Sequence, residues 1–376
     1  MRIDPFIMER WQSAYEHQVA YNLSESGVHP MTVSELLALP GGGEPESIEG
    51  LAQMGLGYAQ GNGSKQLRDY ISAIYPGAGL DNILVTHGGA EANFISTLRL
   101  LNPGDEAVVM LPNYMQTYGL AGAWGAEVKP WMLNEKEGWQ PDILELEDIV
   151  SDKTRLIVIT NPNNPTGLTF GASMLEGVVA AAERVGAWIL SDEIYRGAEI
   201  EGPETLSLWG RYDKLLVTSG LSKAYGLPGL RIGWVVSPST KMVEELWSYH
   251  DYSTIGPSTL TQALAVHALE PARRQNILER TKGILNTNLP TLKEWVDQQK
   301  EIFTYVEPQA GAIMWVKYKL DVNSSELAER VRVDEDVLIQ PGDHLGCDNY
   351  IRFGYGPEPD YLIEALNRVK RVLENY

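Results

Sequence analysis

The sequence predicts an α/β protein with one mostly parallel sheet and a second, smaller α+β domain. Three observations indicate this architecture. Short apolar runs alternate with helical patterns between residues 81 and 237, unusual polar motifs follow these runs, and helical stretches dominate after about residue 258. A single hydrophobic core stops growing at roughly 250–300 residues, so a chain of 376 residues is long enough for two domains.

Charge and composition argue against several classes of partner. The chain has 30 Lys and Arg and 50 Asp and Glu, a net charge of −20, which disfavours nucleic acid or an anionic membrane. Its single cysteine, Cys347, provides neither a disulfide framework nor a thiolate cluster, so no metal site is predicted and a cytoplasmic location is expected. Residues 1–23 lack an apolar targeting core, and no stretch reaches the ~18 apolar residues of a membrane span.

The apolar runs between residues 81 and 237 are predicted to be the strands of the larger domain. Strands that are apolar on both faces and separated by helices indicate a mostly parallel sheet covered on both sides. Ligands of such sheets bind beyond the carboxyl ends of the strands. The runs are 83–86, 107–111, 156–160, 188–190, 215–217 and 234–236.

The rest of the chain is assigned to an arm and to the smaller domain. Residues 1–45 are predicted to form an N-terminal arm that joins the small domain, with residues 1–24 as a helix or an arm. Residues 46–258 form the large domain and 259–376 the C-terminal small domain. The elements expected in the C-terminal part are helices at 260–285, 291–299 and 361–373 and strands at 311–318 and 350–353.

Two motifs at strand ends are candidates for holding a phosphate and a flat ring. The segment from His87 to Asn93 follows the strand at 83–86 and opens a helix, where glycines admit a ligand to the backbone and free amides attract phosphate. Tyr114 follows the strand at 107–111 and is placed to stack on a heteroaromatic ring. Taken singly, the first motif also fits an ordinary turn, and Tyr114 also fits packing against the next helix.

Polar side chains also follow the next two predicted strands. The segment 161–167 contains two X-Pro steps and a glycine, which favour a rigid turn that pre-positions Asn164 as a donor, with a plain loop as the alternative. Asp192 ends a buried strand and needs a partner, because an unpaired buried charge is unfavourable. That partner is either a protonated pyridine nitrogen or a guanidinium, and Tyr195 can return to the same pocket. The guanidinium candidates are Arg196 and Arg211.

Lys223 is the most informative residue in the chain. It lies between the apolar run 215–217 and a glycine-rich segment. Apolar surroundings disfavour an ammonium ion and make accessible the neutral amine that a Schiff base needs. Arg231, eight residues later, can supply a fixed cation for a phosphate. Arg352, on a short apolar strand, can hold a carboxylate through two parallel hydrogen bonds or can form an interdomain ion pair.

In their order and spacing these motifs resemble the fold-type I, pyridoxal-phosphate-dependent class I/II aminotransferases, from about residue 22 to residue 371. The resemblance implies a large domain with a mostly parallel seven-stranded sheet that holds pyridoxal 5′-phosphate, and a smaller α+β domain. It also implies a homodimer with active sites at the subunit interface, a role in amino acid metabolism, and amino acid and 2-oxo acid substrates.

The resemblance also implies a role for each matched residue. Lys223 would form the internal aldimine, and Asp192 would pair with the pyridine nitrogen. Tyr195 and Asn164 would contact the phenolic oxygen, and Tyr114 would stack on the ring. The phosphate would be held by the amides of Gly89, Ala90 and Glu91, by the side chains of Ser222 and Arg231, and by Tyr58 of a neighbouring subunit. The substrate α-carboxylate would be held by Arg352, Asn164 and the backbone near Gly27.

One position departs from the family pattern. Members often have Ser or Thr three residues before the lysine, where it contacts the phosphate, and this chain has Gly220 there. Ser219 and Ser222 lie on either side of Gly220, and we expect one of these hydroxyls to substitute.

The implied reaction moves the amino group of an α-amino acid to a 2-oxo acid, with Lys223 acting as general base and then acid. The alternative is another reaction of the same cofactor, such as that of a cyclase or lyase, because a fold does not determine the reaction. Two segments, 26–29 and 221–231, also resemble the capreomycidine synthases, which cyclise a hydroxylated arginine.

The arm offers two residues that can contact a substrate side chain, Glu25 and His29. A carboxylate at this place would favour cationic or neutral substrates over dicarboxylic ones. The alternative is that Glu25 is solvated and that His29 caps the next helix beside Pro30.

Two other classes of function fit less well. A transcription regulator with an aminotransferase-like half carries a basic DNA-binding domain ahead of the fold, whereas in this chain the fold is expected to begin close to residue 1. A nicotinamide site needs G-x-G-x-x-G spacing after a strand, and the segment 226–229 does not have it.

Overall fold

The computed structural model describes residues 2–42 and 46–376. Its strands are, in chain order, β1 (Tyr21–Asn22), β2 (Ile83–Thr86), β3 (Glu106–Leu111), β4 (Glu127–Asn134), β5 (Gln140–Pro141), β6 (Thr154–Thr160), β7 (Trp188–Asp192), β8 (Leu215–Gly220), β9 (Gly233–Val236), β10 (Phe303–Tyr305), β11 (Ile313–Tyr318), β12 (Val337–Leu338), β13 (Gln340–Pro341) and β14 (Tyr350–Gly354). Its α-helices are α1 (Ile7–Tyr15), α2 (Val33–Leu37), α3 (Ile48–Ala52), α4 (Lys65–Ser72), α5 (Gly89–Leu100), α6 (Gln116–Ala123), α7 (Ile143–Ile149), α8 (Ala172–Val185), α9 (Thr240–His250), α10 (Thr259–Leu269), α11 (Pro271–Asp297), α12 (Ser324–Glu335) and α13 (Pro359–Leu373).

An eight-stranded sheet with the order β2-β9-β8-β7-β6-β3-β4-β5 forms the centre of the larger part of the chain. The neighbours from β8 to β4 are parallel, whereas β9 is antiparallel to both β2 and β8. Seven of these strands have at least four residues, and the two-residue β5 extends the edge. The predicted α/β class with a mostly parallel seven-stranded sheet is confirmed, with this short strand added.

The sheet is covered on both faces because its strands are apolar on both sides. In β6, Ile157 and Ile159 pack into the hydrophobic cluster on one face, and Leu156 and Val158 into the cluster on the other. Helices α5 and α9 contribute to the second cluster, and α8 contributes to the first. With its faces filled, the sheet leaves the carboxyl ends of its parallel strands as the place where a ligand can bind.

Strand β4 is an element that the sequence did not predict. Of its eight residues only Trp131 and Leu133 are buried, and Pro130 interrupts any apolar run. It pairs with β3 on one side and with the short β5 on the other, close to the edge of the sheet, where proline is tolerated. Because edge position rather than composition makes it a strand, periodicity could not find it.

The C-terminal part contains a four-stranded antiparallel sheet with the order β10-β11-β14-β13, and helices α11, α12 and α13 pack around it. This α+β arrangement is the one predicted. In the arm, β1 pairs in parallel with β12. The domain boundaries after residues 45 and 258 stay predictions, and residues 43–45 lie outside the described ones.

One predicted helix break is wrong. A break was expected between residues 285 and 291, but α11 runs without interruption through Pro290. The chain instead breaks at Glu270, whose side chain accepts a hydrogen bond from the Arg273 amide, and Pro271 takes the first helical position. Proline fits that position because the N–H group that it lacks would have no intrahelical acceptor there.

Among the described helices, none combines the length and the apolar composition that crossing a membrane requires.

Candidate active site

Polar residues from several strand ends meet at one cavity of about 500 Å³. The cavity lies at the carboxyl ends of β3, β6, β7 and β8, and residues of α1 cover it. The predicted site residues that line it are Gly89, Ala90, Tyr114, Asn164, Asp192, Tyr195, Ser222, Lys223 and Arg231. Those that do not line it are Gly27, Tyr58, Glu91 and Arg352.

Lys223 follows β8 and presents its amine to the cavity. Its neighbours Leu221 and Ala224 are fully buried and anchor the segment. The amine itself lies 3.8 Å from the Glu25 carboxylate (Nζ to Oε2), so the expectation of apolar surroundings holds for the flanks and is wrong for the amine. The positive charge of Lys223 is the main reason why the pKa of Glu25 is lowered.

Asp192 ends β7 and faces the cavity with no cation beside it in the described part of the chain. Burial raises the pKa of its carboxyl group, and two hydrogen bonds oppose the rise. Asn93 Nδ2 donates to Oδ2 at 2.8 Å, and the Ile194 amide donates to Oδ1 at 3.1 Å. The carboxylate is therefore held in place and is available to a cationic ligand.

Neither guanidinium considered as a partner from the sequence reaches Asp192. Arg196 Nη1 lies 3.9 Å from Glu193 Oε2, and Arg211 Nη1 lies 3.8 Å from Glu176 Oε1. The alternative in which Asp192 belongs to a structural ion pair is therefore wrong for the described residues.

Tyr195 lies on the same wall and is almost fully buried. Its hydroxyl has no hydrogen-bond partner among the described residues. Gly311, at φ +80°, allows the chain to pass close to the ring, since a Cβ there would lie 3.2 Å from the ring of Tyr195. A buried hydroxyl without a partner is unfavourable, which indicates that a ligand oxygen completes this site.

The N-terminus of α5 and Arg231 together form a candidate anion site. Gly88, at φ +83°, precedes the helix, and a Cβ there would lie 2.5 Å from Arg231 Nη2, so the guanidinium lies directly on this turn. The amides of Gly89, Ala90 and Glu91 are in the first turn and have no backbone acceptor within the described residues. Free amides at a helix start together with a guanidinium favour a phosphate.

The structure explains the glycine three residues before the lysine. A Cβ at Gly220 would lie 2.8 Å from the carbonyl oxygen of Ile232, because β8 and β9 are closely paired there. Ser222 lines the cavity, with Oγ 3.5 Å from Arg231 Nη1. Ser219 instead donates to a backbone carbonyl in the buried turn after β7. Of the two hydroxyls, Ser222 is the one that faces the anion site.

The side chain of Glu91 does not line the cavity. It connects the turn before α5 to the end of α9 through hydrogen bonds. Its Oε2 accepts from the His87 amide at 2.6 Å, and its Oε1 accepts from the hydroxyls of Ser253 and Thr254. His250 Nε2 lies 3.3 Å from Oε2. Burial alone would raise the pKa of Glu91, but these hydrogen bonds lower it to about 2. At neutral pH the group is therefore an ionised anchor.

Tyr114 lines the cavity and contacts the arm. Its hydroxyl donates to Glu9 Oε1 at 2.8 Å, and its ring meets that of Phe6 edge-on, with centroids 5.0 Å apart. Glu9 and Phe6 also line the cavity, and the sequence did not identify either as a site residue. Only the docking of α1 across the sheet brings them there, although the aromatic Phe6 is placed for docking by its position in the arm.

Arg352, on β14, is fully buried beside the cavity. Its Nη1 donates to Asn164 Oδ1 at 2.9 Å, and its Nη2 donates to the carbonyl of Ser24. It forms no ion pair with a described residue, so the interdomain ion pair considered as its alternative role is absent there, and its Nε has no partner. Because Asn164 uses its oxygen for Arg352, its amide nitrogen is left as the donor toward the cavity.

Gly27 and Tyr58 lie elsewhere. Gly27 lines a neighbouring chamber of about 430 Å³, which shares Glu25 and Ser222 with the main cavity. The side chain of Tyr58 is 94% exposed and does not reach the cavity of its own chain.

Of the two arm residues considered for substrate contact, Glu25 faces the main cavity and His29 does not. The Glu25 side chain is 49% exposed and borders both chambers. His29 Nδ1 lies 3.0 Å from the Gly356 carbonyl oxygen, and its Nε2 lies 3.0 Å from Glu358 Oε1. The helix cap considered as the alternative role of His29 is supplied by Thr32, which caps α2.

Comparisons with known proteins cover most of the chain. The profile of the family described as aminotransferase class I and II matches residues 45–369. A capreomycidine synthase of Streptomyces vinaceus is 32% identical over 94% of this chain and 90% of its own length. An aspartate aminotransferase of Thermotoga maritima is 28% identical over 78% of this chain and 76% of its own. The crystal structure of a PLP-dependent aminotransferase from Streptococcus suis superposes with a TM-score of 0.92 at 32% identity, covering 100% of this chain and 99% of the other.

Proposed function

The chain belongs to the aminotransferase class I and II family, and we propose that it transfers the amino group of an α-amino acid to a 2-oxo acid. The observation that carries this proposal is that two reactive groups line the same cavity. Lys223 presents an amine there, and Asp192 presents a buried carboxylate without a cation. An amine that can bond to a carbonyl carbon and an anion that can hold a ring cation are the two groups such a transfer needs.

The cofactor is pyridoxal 5′-phosphate, as in this family. Three features of the cavity fit it. The anion site at the start of α5 suits its phosphate, the unpartnered hydroxyl of Tyr195 suits its phenolic oxygen, and the unpaired Asp192 suits its protonated ring nitrogen. When bound, the cofactor supplies a ring that withdraws electrons from the substrate Cα.

The contacts support a role for each residue in holding the cofactor. Asp192 would pair with the ring nitrogen, Tyr195 and Asn164 would donate to the phenolic oxygen, and Tyr114 would stack on the ring. The phosphate would be held by the amides of Gly89, Ala90 and Glu91 and by the side chains of Ser222 and Arg231.

The residues of the chain also account for substrate binding and proton movement. Arg352 would hold the α-carboxylate of the substrate through two hydrogen bonds, with the amide nitrogen of Asn164 and the backbone near Gly27 beside it. The Lys223 Nζ would accept the proton from the substrate Cα and later return a proton to the product, acting as base and then acid. Phe6, from the arm, covers the cavity and would exclude water from the reacting atoms.

The proposed reaction can be tested with purified holoenzyme, a panel of amino acids and 2-oxoglutarate. A transferase is expected to form one glutamate and one new 2-oxo acid for each amino acid consumed. Both products can be quantified by mass spectrometry. Consumption of an amino acid with neither product would exclude transamination of that substrate.

A second candidate function is a cyclisation or elimination on an amino acid with the same cofactor. The identity of 32% to a capreomycidine synthase over 94% of the chain favours it. The same panel separates the two reactions, because a cyclase or lyase would change the mass of its amino acid without consuming 2-oxoglutarate.

Glu25 is expected to set substrate preference. In Glu25→Gln, we expect kcat/KM for arginine to fall about 5- to 10-fold relative to alanine, since a partly exposed carboxylate contributes a modest charge-assisted contact. Glu358→Gln, beside His29 in the neighbouring chamber, is the matched control and should leave the ratio unchanged. An equal loss for both substrates would instead indicate that Glu25 acts on Lys223.

We also propose that two chains form a dimer that brings Tyr58 to the phosphate of the neighbouring site. Tyr58 is 94% exposed, and Leu56 and Tyr252 are 84% and 95% exposed. The loops that carry them touch, since a Cβ at Gly61 would lie 2.9 Å from the carbonyl oxygen of Ile255. Large apolar side chains exposed on adjoining loops are typical of a protein–protein interface.

Mixing two variants, one with weakened cofactor binding and one without the reactive lysine, tests this arrangement. Tyr58→Ala should weaken cofactor binding about 10-fold or more, through loss of a hydrogen bond to a charged group. At limiting cofactor, refolding Tyr58→Ala together with Lys223→Ala should restore about a quarter of the wild-type activity. About half of the dimers would be mixed, and each mixed dimer would contain one complete site out of two. No recovery, or a monomer by light scattering, would contradict the proposed dimer.

The proposed substrates indicate the metabolic role of this activity, and the cysteine content indicates its location. We infer a part in amino acid metabolism in the cytoplasm, where a chain with Cys347 as its single cysteine stays reduced. Fractionation of cells that express a tagged copy tests the location.

A further inference from the structure

Asn93 lies on α5 between the anion site and the end of β7, and the proposed function leaves it without a role. It is buried at the wall of the main cavity. Its Nδ2 donates to Asp192 Oδ2 at 2.8 Å, and its Oδ1 accepts from the hydroxyl of Thr218 at 2.8 Å. Both ends of the amide are thus engaged, and its two partners lie side by side on neighbouring strands, since Asp192 pairs with Thr218 in the β7–β8 register.

The direction of this amide follows from its neighbours. An ionised carboxylate accepts hydrogen bonds only, so the nitrogen of Asn93 must face Asp192. The hydroxyl of Thr218 can then donate to the oxygen at the other end. Both contacts are buried, where a hydrogen bond to a charged group is strong and a missing one is unfavourable.

Asp192 depends on this contact because it has little other support. Burial works against its charge, and the Ile194 amide supplies the only other hydrogen bond to its carboxylate within the described residues. A carboxylate that holds a protonated ring nitrogen must be ionised and must be oriented toward that nitrogen.

We propose that Asn93 is a positioning residue for the reaction, which turns the Asp192 carboxylate toward the cavity so that it meets the ring nitrogen of the cofactor. This inference rests on the proposed role of Asp192. Asn93 acts through Asp192, and Thr218 holds Asn93 in the direction that this requires.

A comparison of two cofactors tests the inference. Asn93→Leu keeps the shape of the side chain and removes the donor. Its dissociation constant for pyridoxal 5′-phosphate is expected to rise about 10- to 100-fold, the loss of one hydrogen bond to a charged group. For the 1-deaza analogue, in which a C–H group replaces the ring nitrogen, we expect a change of less than about 3-fold, because Asp192 has no cation to bind there.

The protonation of the ring gives a second, spectroscopic readout. With ¹⁵N-labelled cofactor bound, the ring nitrogen should resonate as a protonated pyridine in the wild type and shift toward the unprotonated position in Asn93→Leu. Thr218→Val, which removes only the bond that directs the amide, should shift the resonance in the same direction by less. Thr97→Val is the matched control, because its hydroxyl bonds only to the backbone carbonyl of Asn93, and it should leave both readouts unchanged.

Two outcomes would overturn the inference. One is an equal loss of affinity for both cofactors in Asn93→Leu, and the other is a ring nitrogen that stays protonated in that variant. Failure of the proposed function looks different. If the wild type holds an unprotonated ring, the role of Asp192 is wrong, and if it forms no 2-oxo acid while the variants behave as expected, only the transfer reaction is wrong.

Discussion

Replacement of Lys223 by alanine is expected to lower kcat at least about 10⁴-fold, because one side chain supplies both the amine that bonds to the cofactor and the base that moves the proton. The cofactor should still bind, since the anion site at α5, Asp192 and Tyr195 remain. Turnover is measured by glutamate formation, and binding by equilibrium dialysis.

The position of the bond to the cofactor can be checked independently. After borohydride reduction of the wild-type holoenzyme and digestion, the added mass is expected on the peptide that contains Lys223. Lys214→Ala is the matched control, because this lysine lies just before the same strand, β8, and donates to a surface carbonyl. Retained turnover in Lys223→Ala, or a label on another lysine, would remove Lys223 from the mechanism.

Asp192→Asn is expected to reduce turnover by about 10²- to 10⁴-fold and, at the same time, to stabilise the cofactor-free protein at neutral pH. The activity falls because a neutral amide cannot hold the ring nitrogen in its protonated form. The stability rises because burial raises the pKa of Asp192 in the folded state, so the ionised carboxylate is unfavourable there.

The sign of the pH dependence follows from that shift. A folded-state pKa above the unfolded value of about 3.9 means that the folded protein binds the proton more tightly. The wild type therefore loses stability relative to Asp192→Asn as the pH rises from about 4 through the folded-state pKa, and the difference vanishes at lower pH. Thermal unfolding of both cofactor-free proteins between pH 4 and pH 8 measures this.

The control for this experiment is Asp142→Asn. Asp142 caps α7 through a hydrogen bond from the Leu144 amide, and asparagine caps helices about as well as aspartate. Neither activity nor stability should change much in this variant. Full activity in Asp192→Asn would contradict the proposed pairing of Asp192 with the ring nitrogen, and a stability below that of the wild type at pH 8 would contradict the raised pKa.

The core of the larger sheet was predictable because its strands are apolar on both faces. The runs around Ile157 and Leu216 are short and rich in aliphatic residues, which favours a buried strand, and both are buried on the two faces of the sheet. Strand β4 was not predictable, since its exposed side chains and Pro130 depend on its place near an edge. The break before α11 was missed for a related reason, because the proline at 271 starts a helix and the proline at 290 is carried inside it.

Much of the site was predictable by the same logic. Asp192 ends a buried strand, Lys223 and Asn164 each follow one, and the ends of parallel strands share one edge of a sheet. The structure brings these residues together at one cavity, and their roles there stay predictions. The reason for a glycine at position 220 was not predictable from the sequence, because only the close pairing of β8 and β9 explains why that position has no side chain.

The sequence alone determined which chemical groups stand at the strand ends, because apolar runs and the residues that follow them are local properties of the chain. Only the tertiary structure decided what surrounds each group. Glu25 beside Lys223, Glu9 on Tyr114 and Asn93 on Asp192 all join residues distant in the sequence. The direction of a carboxylate and its affinity for a proton are set by such neighbours and by burial, and neither is written in the order of the residues.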